Sequence, residues 1–176
     1  MRLITTPLPP ACVIELQRFE DERGWFARSF CVDTLARAGI GFEVVQANIS
    51  YNRRRGTVRG MHWQDPEHPE PKIVRCCRGA IHDVIVDLRP DSPRRFAHHA
   101  VRLDATGGRA LYVPAGFAHG FQTLEDDTEV HYLMGGRYVP EAARGARWDD
   151  PRLAIRWPLP VAVISERDRS FPELAP

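Results

Sequence analysis

The feature that most constrains the fold is a two-residue alternation of apolar and polar side chains, which recurs in short segments from residue 44 onward. In VVQANIS (44–50), the polar side chains Gln46, Asn48 and Ser50 share one face. Later segments of this kind are separated by turn residues, and the chain has 13 glycines and 15 prolines. Because strand side chains alternate between two faces, the pattern predicts strands joined by turns. At least about seven strands follow, which favours an all-β sandwich or jelly roll.

The N-terminal part adds a strand and a helix to this prediction. Residues 11–20 are typical of a strand, and a turn at residues 21–24 follows. Residues 32–40 predict the one clear helix, since Asp33 lies near its start and Gly39 would end it. The tail from Pro140 shows no regular period and is expected to be irregular.

Size and composition predict one domain over residues 1–176, with no nucleic-acid or membrane partner. The net charge of +1 argues against a general nucleic-acid binder. No apolar run approaches the roughly 20 residues of a membrane helix, and the first ten residues do not resemble a signal peptide. The four cysteines show no C-x-x-C spacing, so we expect reduced thiols and a cytoplasmic location.

The stretch Arg59-Gly60-Met61-His62-Trp63-Gln64, followed by Lys72, is the first candidate for chemistry. His62 stands between two large hydrophobic residues, a setting that can tune the proton affinity of an imidazole. Lys72 is the only lysine in a chain with 24 lysines and arginines. Taken singly, each could be a structural residue. Together they have the character of a base and an electrophile.

A second motif concerns the fold and the question of a metal. Gly108, five residues, and then Pro114-x-Gly116-x-x-His119 reproduce the second half of the cupin pattern, in which a tight turn aims a histidine into the barrel. Metal-binding cupins supply a second histidine where this chain has Gln64. Two histidines make a poor Zn or Fe site, so we expect a cupin-type jelly roll that works without a metal or other cofactor.

Ordered segments along nearly the whole chain form one recognisable set. They include D-E-R-G-W-F at 21–26, Q-A-N-I-S at 46–50, R-G-M-H-W-Q at 59–64, K-I-V-R at 72–75, V-P-A-G-F-A-H-G-F at 113–121 and S-E-R-D at 165–168. This set resembles the dTDP-4-dehydrorhamnose 3,5-epimerase family. The resemblance implies a metal-free jelly roll and a homodimer in which the N-terminal region reaches the partner's site. It also implies the substrate dTDP-4-dehydro-6-deoxy-glucose, a nucleotide sugar with a ketone at carbon 4.

The resemblance also implies catalytic roles for four residues. His62 would be the base, held and activated by Asp168, and Tyr132 the acid on the opposite face of the sugar. Lys72 would stabilise negative charge on the carbonyl oxygen. His119 and Asp83 would complete the polar floor of the site.

Substrate binding is implied at a further set of positions. Arg59 would grip the diphosphate, helped by Arg23 of the neighbouring subunit. The nucleoside would be held by Gln46, Asn48, Phe26 and Tyr138.

Three departures from the family pattern leave the specificity open. Arg28 stands where the family usually has a glutamate near the nucleotide, Leu133 follows Tyr132 in place of lysine, and Glu70-Pro71 replaces Gln-Ala before Lys72. The chain could therefore invert one centre only, or use another nucleotide. A non-catalytic cupin that binds a nucleotide sugar is a further alternative, although binding alone needs no acid and base on opposite faces. A metal-dependent oxygenase is disfavoured by the missing ligand.

Overall fold

The structure is a computed structural model that describes residues 1–174, in which antiparallel strands are the main regular structure. None of the helices in this part is long and apolar enough to cross a membrane. The helices are α1 (Val32–Arg37) and α2 (Glu166–Ser170), with a 3-10 turn at Pro140–Ala142. The strands are β1 (Arg2–Thr5), β2 (Cys12–Glu15), β3 (Arg18–Asp21), β4 (Gly24–Ala27), β5 (Gln46–Asn52), β6 (Val58–Gln64), β7 (Lys72–Arg78), β8 (Ala80–Asp87), β9 (His98–Asp104), β10 (Arg109–Val113), β11 (Phe117–Thr123), β12 (Thr128–Met134) and β13 (Ala143–Gly145).

Two sheets and a separate hairpin contain all of these strands. One sheet has six strands in the order β1-β2-β10-β7-β12-β5, the other five in the order β13-β6-β11-β8-β9, and β3 pairs only with β4. The two large sheets remain separate rather than closing into a barrel. The predicted all-β, cupin-type jelly roll with a short N-terminal helix is thereby confirmed.

The core between the sheets explains why the chain forms two layers. Apolar side chains from both sheets, among them Val74, Leu111 and Val130 on one and Ile85 and Phe121 on the other, are almost completely buried together. The outer face of the five-stranded sheet is covered by the C-terminal tail, where Leu153 packs against Val84 and Val86. Both faces of β8 are thus covered, which accounts for its nearly continuous burial.

Two details of the predicted elements are corrected. The strand predicted over residues 11–20 is divided into β2 and β3, because Glu15 already lies opposite Arg2 and Arg109, the terminal residues of both neighbouring strands. Helix α1 ends at Arg37 rather than at residue 40, and Gly39 adopts the positive φ of 78° expected of a helix-ending glycine. The tail is irregular as predicted, apart from β13 and the short helix α2.

A bulge in β6 positions the central stretch of the sequence. His62 lies opposite His119 of β11, but Arg59 lies opposite Phe121, so three steps along β6 correspond to two along β11. Gly60 occupies the bulge with φ +133°, and its backbone packs directly on Gly120. Both strands need glycine here because a Cβ at either position would collide with the other strand.

We expect Gly60→Ala to lower the free energy of unfolding by about 2 kcal/mol or more. The new Cβ would lie 2.5 Å from the Gly120 Cα, and φ +133° is strained for alanine. Gly41→Ala is the matched control, since nothing lies within 4 Å of its Cβ position, and it should change stability by no more than about 0.5 kcal/mol. Chemical denaturation measures both, and equal stabilities would contradict the packing described for the bulge.

Candidate active site

A cavity of about 320 Å³ opens between the two large sheets. Its polar lining comes from strands of both layers, so chemically different groups face each other across it. Eight of the residues predicted from sequence are among its lining residues: Gln46, Asn48, Arg59, His62, Lys72, His119, Tyr132 and Tyr138.

His62 lies on one wall and is held by a buried carboxylate. Its Nε2 donates to Asp168 Oδ1 over 2.7 Å, while Asp168 Oδ2 accepts the backbone N–H of Gly60 at 3.0 Å. A neutral imidazole that donates through Nε2 has Nδ1 as its acceptor, so Nδ1 is the nitrogen able to take a proton. The His62 side chain is 42% exposed, and a substrate in the cavity can reach it.

The position of Asp168 is set by α2. Ser165 caps this short helix by accepting the N–H of Asp168 at 3.0 Å. Burial works to raise the pKa of Asp168, but the hydrogen bond and charge of His62, with contributions from Gly60 and Ser165, outweigh it and leave the pKa below its usual value. Asp168 is therefore a carboxylate at neutral pH and is a strong acceptor for the hydrogen bond from His62.

Tyr132 lies on the opposite wall, in the six-stranded sheet. Its hydroxyl is 3.4 Å from the Ser50 hydroxyl, and its ring meets the His119 ring edge-on with centroids 6.2 Å apart. Burial raises the pKa of Tyr132 well above that of a free phenol. The side chain is therefore a neutral proton donor at physiological pH.

The floor of the cavity contains a second histidine–carboxylate pair. His119 Nε2 lies 2.7 Å from Asp83 Oδ1, and both side chains are nearly inaccessible to solvent. The pairing of β11 with β8 places Asp83 on the neighbouring strand. Of the two residues predicted for the polar floor, His119 lines the cavity, whereas Asp83 lies behind it as its hydrogen-bond partner.

Lys72 and Arg59 supply positive charge at two separate places. The Lys72 ammonium donates to Glu70 Oε2 over 2.8 Å, and both side chains are more than 90% buried. Arg59 Nε donates to Asn52 Oδ1 at 2.7 Å, so this guanidinium is oriented by a neutral amide. Near the cavity entrance, Gln46 Oε1 accepts the backbone N–H of Tyr138 at 2.8 Å.

Three predicted substrate-binding residues lie away from this cavity. Arg23 and Phe26 belong to the exposed β3–β4 hairpin, where Arg23 pairs with Asp21 and Phe26 is 74% exposed. Arg28 follows the hairpin, and its guanidinium contacts the sulfur of Cys31. A single chain does not bring these three side chains to the site.

Sequence reasoning missed several residues that line the cavity. Glu70 was noticed only as a departure from a family pattern, although it is the partner of Lys72. Arg144 of β13 and Arg167, next to Asp168, also line the cavity. Arg144 could not be predicted, because the irregular tail has no period that reports its position. Arg167 could have been predicted, because it is the neighbour of Asp168 in the chain. Among residues 1–174, no three His, Cys, Asp or Glu side chains are grouped so that they could hold a metal ion.

Comparison with known proteins gives one consistent family. The family model described as dTDP-4-dehydrorhamnose 3,5-epimerase matches residues 5–176. A Sinorhizobium fredii protein named dTDP-4-dehydrorhamnose 3,5-epimerase is 41% identical, over 92% of this chain and 84% of the relative. A Streptomyces niveus protein named dTDP-4-dehydrorhamnose 3-epimerase is 38% identical, over 96% of this chain and 82% of the relative.

A solved structure shares the fold in detail. The Bacillus anthracis dTDP-4-dehydrorhamnose 3,5-epimerase, crystallised with TDP and PPi bound, superposes with a TM-score of 0.95. The two sequences are 39% identical, and the match covers 98% of this chain and 99% of that one.

The lowered pKa of Asp168 predicts a pH-dependent contribution to stability. A carboxyl group with a folded pKa below its unfolded value of about 3.9 contributes fully above that value, and the contribution disappears as pH falls through the folded pKa. We expect Asp168→Asn to cost about 1–3 kcal/mol of unfolding free energy at pH 7 and almost nothing once Asp168 is protonated in the wild type.

Denaturant titrations of both proteins from pH 7 to well below the unfolded pKa of about 3.9 measure this difference. Asp149→Asn is the control, because Asp149 pairs with Arg147 at the surface, where such pairs contribute about 0–1 kcal/mol. A cost for Asp168→Asn that is independent of pH would show that its carboxylate charge does not stabilise the fold.

Proposed function

The chain belongs to the dTDP-4-dehydrorhamnose 3,5-epimerase family, whose members are isomerases, and we propose that it inverts carbon 3, carbon 5 or both in a dTDP-linked 4-keto-6-deoxy sugar. The observation that carries the proposal is the placement of His62 and Tyr132 on opposite sheets across one cavity. Inversion of a carbon centre requires removal of a proton on one face and delivery on the other. A proton acceptor and a neutral proton donor on facing walls fit that requirement.

The proposed reaction passes through an enolate. Carbons 3 and 5 flank the ketone, so loss of a proton from either is stabilised by charge on the carbonyl oxygen. His62 Nδ1 takes the proton, and Asp168, 2.7 Å from Nε2, stabilises the resulting imidazolium. Tyr132 then delivers a proton to the opposite face of the carbon.

Lys72 and His119 are the proposed stabilisers of the enolate oxygen. The Lys72 ammonium is almost fully buried, and a charge shielded from water interacts strongly with charge that develops in the transition state. His119 lines the cavity, and its orientation is fixed by Asp83. We propose no metal in this reaction, since the groups that line the cavity supply acid, base and positive charge.

The nucleotide end of the substrate is the proposed ligand of Arg59, Gln46, Asn48 and Tyr138. The Arg59 guanidinium matches a diphosphate in charge and in donor geometry. We further propose a homodimer in which the β3–β4 hairpin of one chain extends to the partner's cavity with Arg23, Phe26 and Arg28. The exposure of Phe19, Trp25 and Phe26 on this hairpin supports that proposal, because such aromatic clusters mark interaction surfaces.

A one-centre reaction is the second candidate. It is favoured by the similarity to the Streptomyces niveus protein, whose name specifies carbon 3 alone. For both candidates we propose a single catalytic domain located in the cytoplasm. The four cysteines, all of which are free, support that location because reduced thiols are typical of a reducing compartment.

The proposed function is tested by proton exchange with solvent. Enzyme incubated with dTDP-4-dehydro-6-deoxy-glucose in deuterated water should introduce deuterium at carbon 3, carbon 5 or both, which proton NMR detects. His62→Ala should slow this exchange by about 100-fold or more, as expected for loss of a positioned base. His68→Ala, at an exposed histidine outside the cavity, should exchange normally. Rapid exchange by His62→Ala would show that another residue is the base.

Tyr132→Phe should separate exchange from inversion. Because His62 remains, the enolate still forms and can take back a solvent proton on the original face, while inversion slows by about 100-fold or more. NMR measures deuterium uptake and the product epimer in the same sample. Tyr112→Phe is the control, since Tyr112 is buried in β10 away from the cavity. Equal loss of uptake and inversion would assign Tyr132 to another step.

A further inference from the structure

Glu70 is a charged cavity residue that the proposed reaction does not use. Its side chain is 9% exposed, it lines the cavity, and its Oε2 accepts from Lys72 at 2.8 Å. In the described part of the chain, Lys72 is the only hydrogen-bond partner of this carboxylate. A nearly buried carboxylate can accept several hydrogen bonds, so Glu70 retains capacity for a donor that arrives with the substrate.

The backbone holds Glu70 in a fixed position. Pro69 and Pro71 flank it and restrict the local dihedral angles. The Gly135 N–H donates to the Pro71 carbonyl at 2.7 Å, and Gly136 packs so closely that a Cβ there would lie 2.2 Å from the Pro69 oxygen. Glu70 is therefore preorganised at the cavity wall rather than mobile at its entrance.

The Glu70–Lys72 pair presents a donor and an acceptor side by side. The ammonium has three N–H donors and uses one on Glu70, so two remain. The substrate presents the complementary pair, because the ketone oxygen on carbon 4 is an acceptor and the hydroxyl on carbon 3 is a donor. These oxygens are on neighbouring carbons, about as far apart as the two partners of a hydrogen bond.

We propose that Glu70 is a specificity-determining residue that accepts a hydrogen bond from the carbon-3 hydroxyl while Lys72 donates to the ketone oxygen. The inference rests on the proposed function and names the part of the substrate that the pair recognises. The Glu70 carboxylate and the enolate are both negatively charged, so they would repel each other unless a hydrogen-bond donor lay between them. A hydroxyl bound to Glu70 provides that donor and fixes the orientation of the ketone.

The experiment combines two enzymes with two substrates. Wild type and Glu70→Gln are each given dTDP-4-dehydro-6-deoxy-glucose and its analogue without the carbon-3 hydroxyl, and kcat/KM for deuterium uptake at carbon 5 is measured. We expect Glu70→Gln, whose amide oxygen can still accept but carries no charge, to lower this value by about 5–10-fold for the hydroxylated substrate, the difference between a charged and a neutral hydrogen bond. For the deoxy analogue the change should stay within about threefold.

Controls separate recognition from general damage. Glu67→Gln makes the same charge change at an exposed position and should behave as wild type with both substrates. Glu70→Gln should unfold at a lower temperature than the wild type, because Lys72 loses its buried partner, but it should stay folded at the assay temperature and bind dTDP as the wild type does. Glu70→Asp, which keeps the charge but withdraws the acceptor, should show the same selective loss.

Each other outcome overturns the inference. Equal loss with both substrates would mean that Glu70 acts only through Lys72, and faster exchange would mean that it competes with the ketone for the ammonium. If kcat/KM of a folded Glu70→Gln equals the wild-type value with both substrates, Glu70 takes no part in substrate recognition. Absence of deuterium uptake by the wild type with the hydroxylated substrate would instead overturn the proposed function itself.

Discussion

The carboxylate of Asp168 is the interaction on which the site depends. It joins the C-terminal helix α2 to the bulge in β6 by accepting from His62 and from the Gly60 backbone. These two hydrogen bonds orient the imidazole and fix the strand that carries it, so the base and its support form a single unit. Because the cost of burying a carboxylate is offset only when its partners are present, the tail and the bulge must form together.

The two-layer architecture converts this local unit into a site with two distinct faces. His62 and His119 come from the five-stranded sheet, whereas Tyr132 and Lys72 come from the six-stranded sheet. A sugar ring bound between the layers, as proposed, would meet the proton acceptor on one face and the proton donor on the other. The apolar core below keeps the sheets apart at a fixed distance, and the stereochemistry of the reaction follows from the packing of the fold.

The sequence predicted the parts of the site that obey regular periodicity. Gln46, Asn48 and Ser50 alternate along β5, and all three face the cavity as the two-residue period requires. Arg59 and His62 are three residues apart, so a regular strand would place them on opposite faces; the bulge brings both to the cavity. That both residues belong to the site was predicted only from the family resemblance, because a bulge leaves no trace in the periodicity of the sequence. Glu70 was not assigned a role, although it lies only two residues from Lys72. It precedes β7, and its position at the cavity depends on the packing of Pro69 and Pro71 against Gly135 and Gly136, which no sequence period reports.

The pattern of charge pairing explains how one cavity can serve both chemistry and binding. His62, His119 and Lys72 each have a carboxylate within 2.8 Å, which orients the two imidazoles and balances the charge of the buried Lys72 ammonium. Arg59 is held instead by the neutral amide of Asn52, and its positive charge is not compensated by that contact. A charge left uncompensated near solvent suits the dianionic diphosphate, whereas paired groups suit a sugar ring that is itself neutral. The substrate can therefore be bound through the nucleotide while the reacting end meets groups already fixed in place, which favours interactions that strengthen only as the enolate forms.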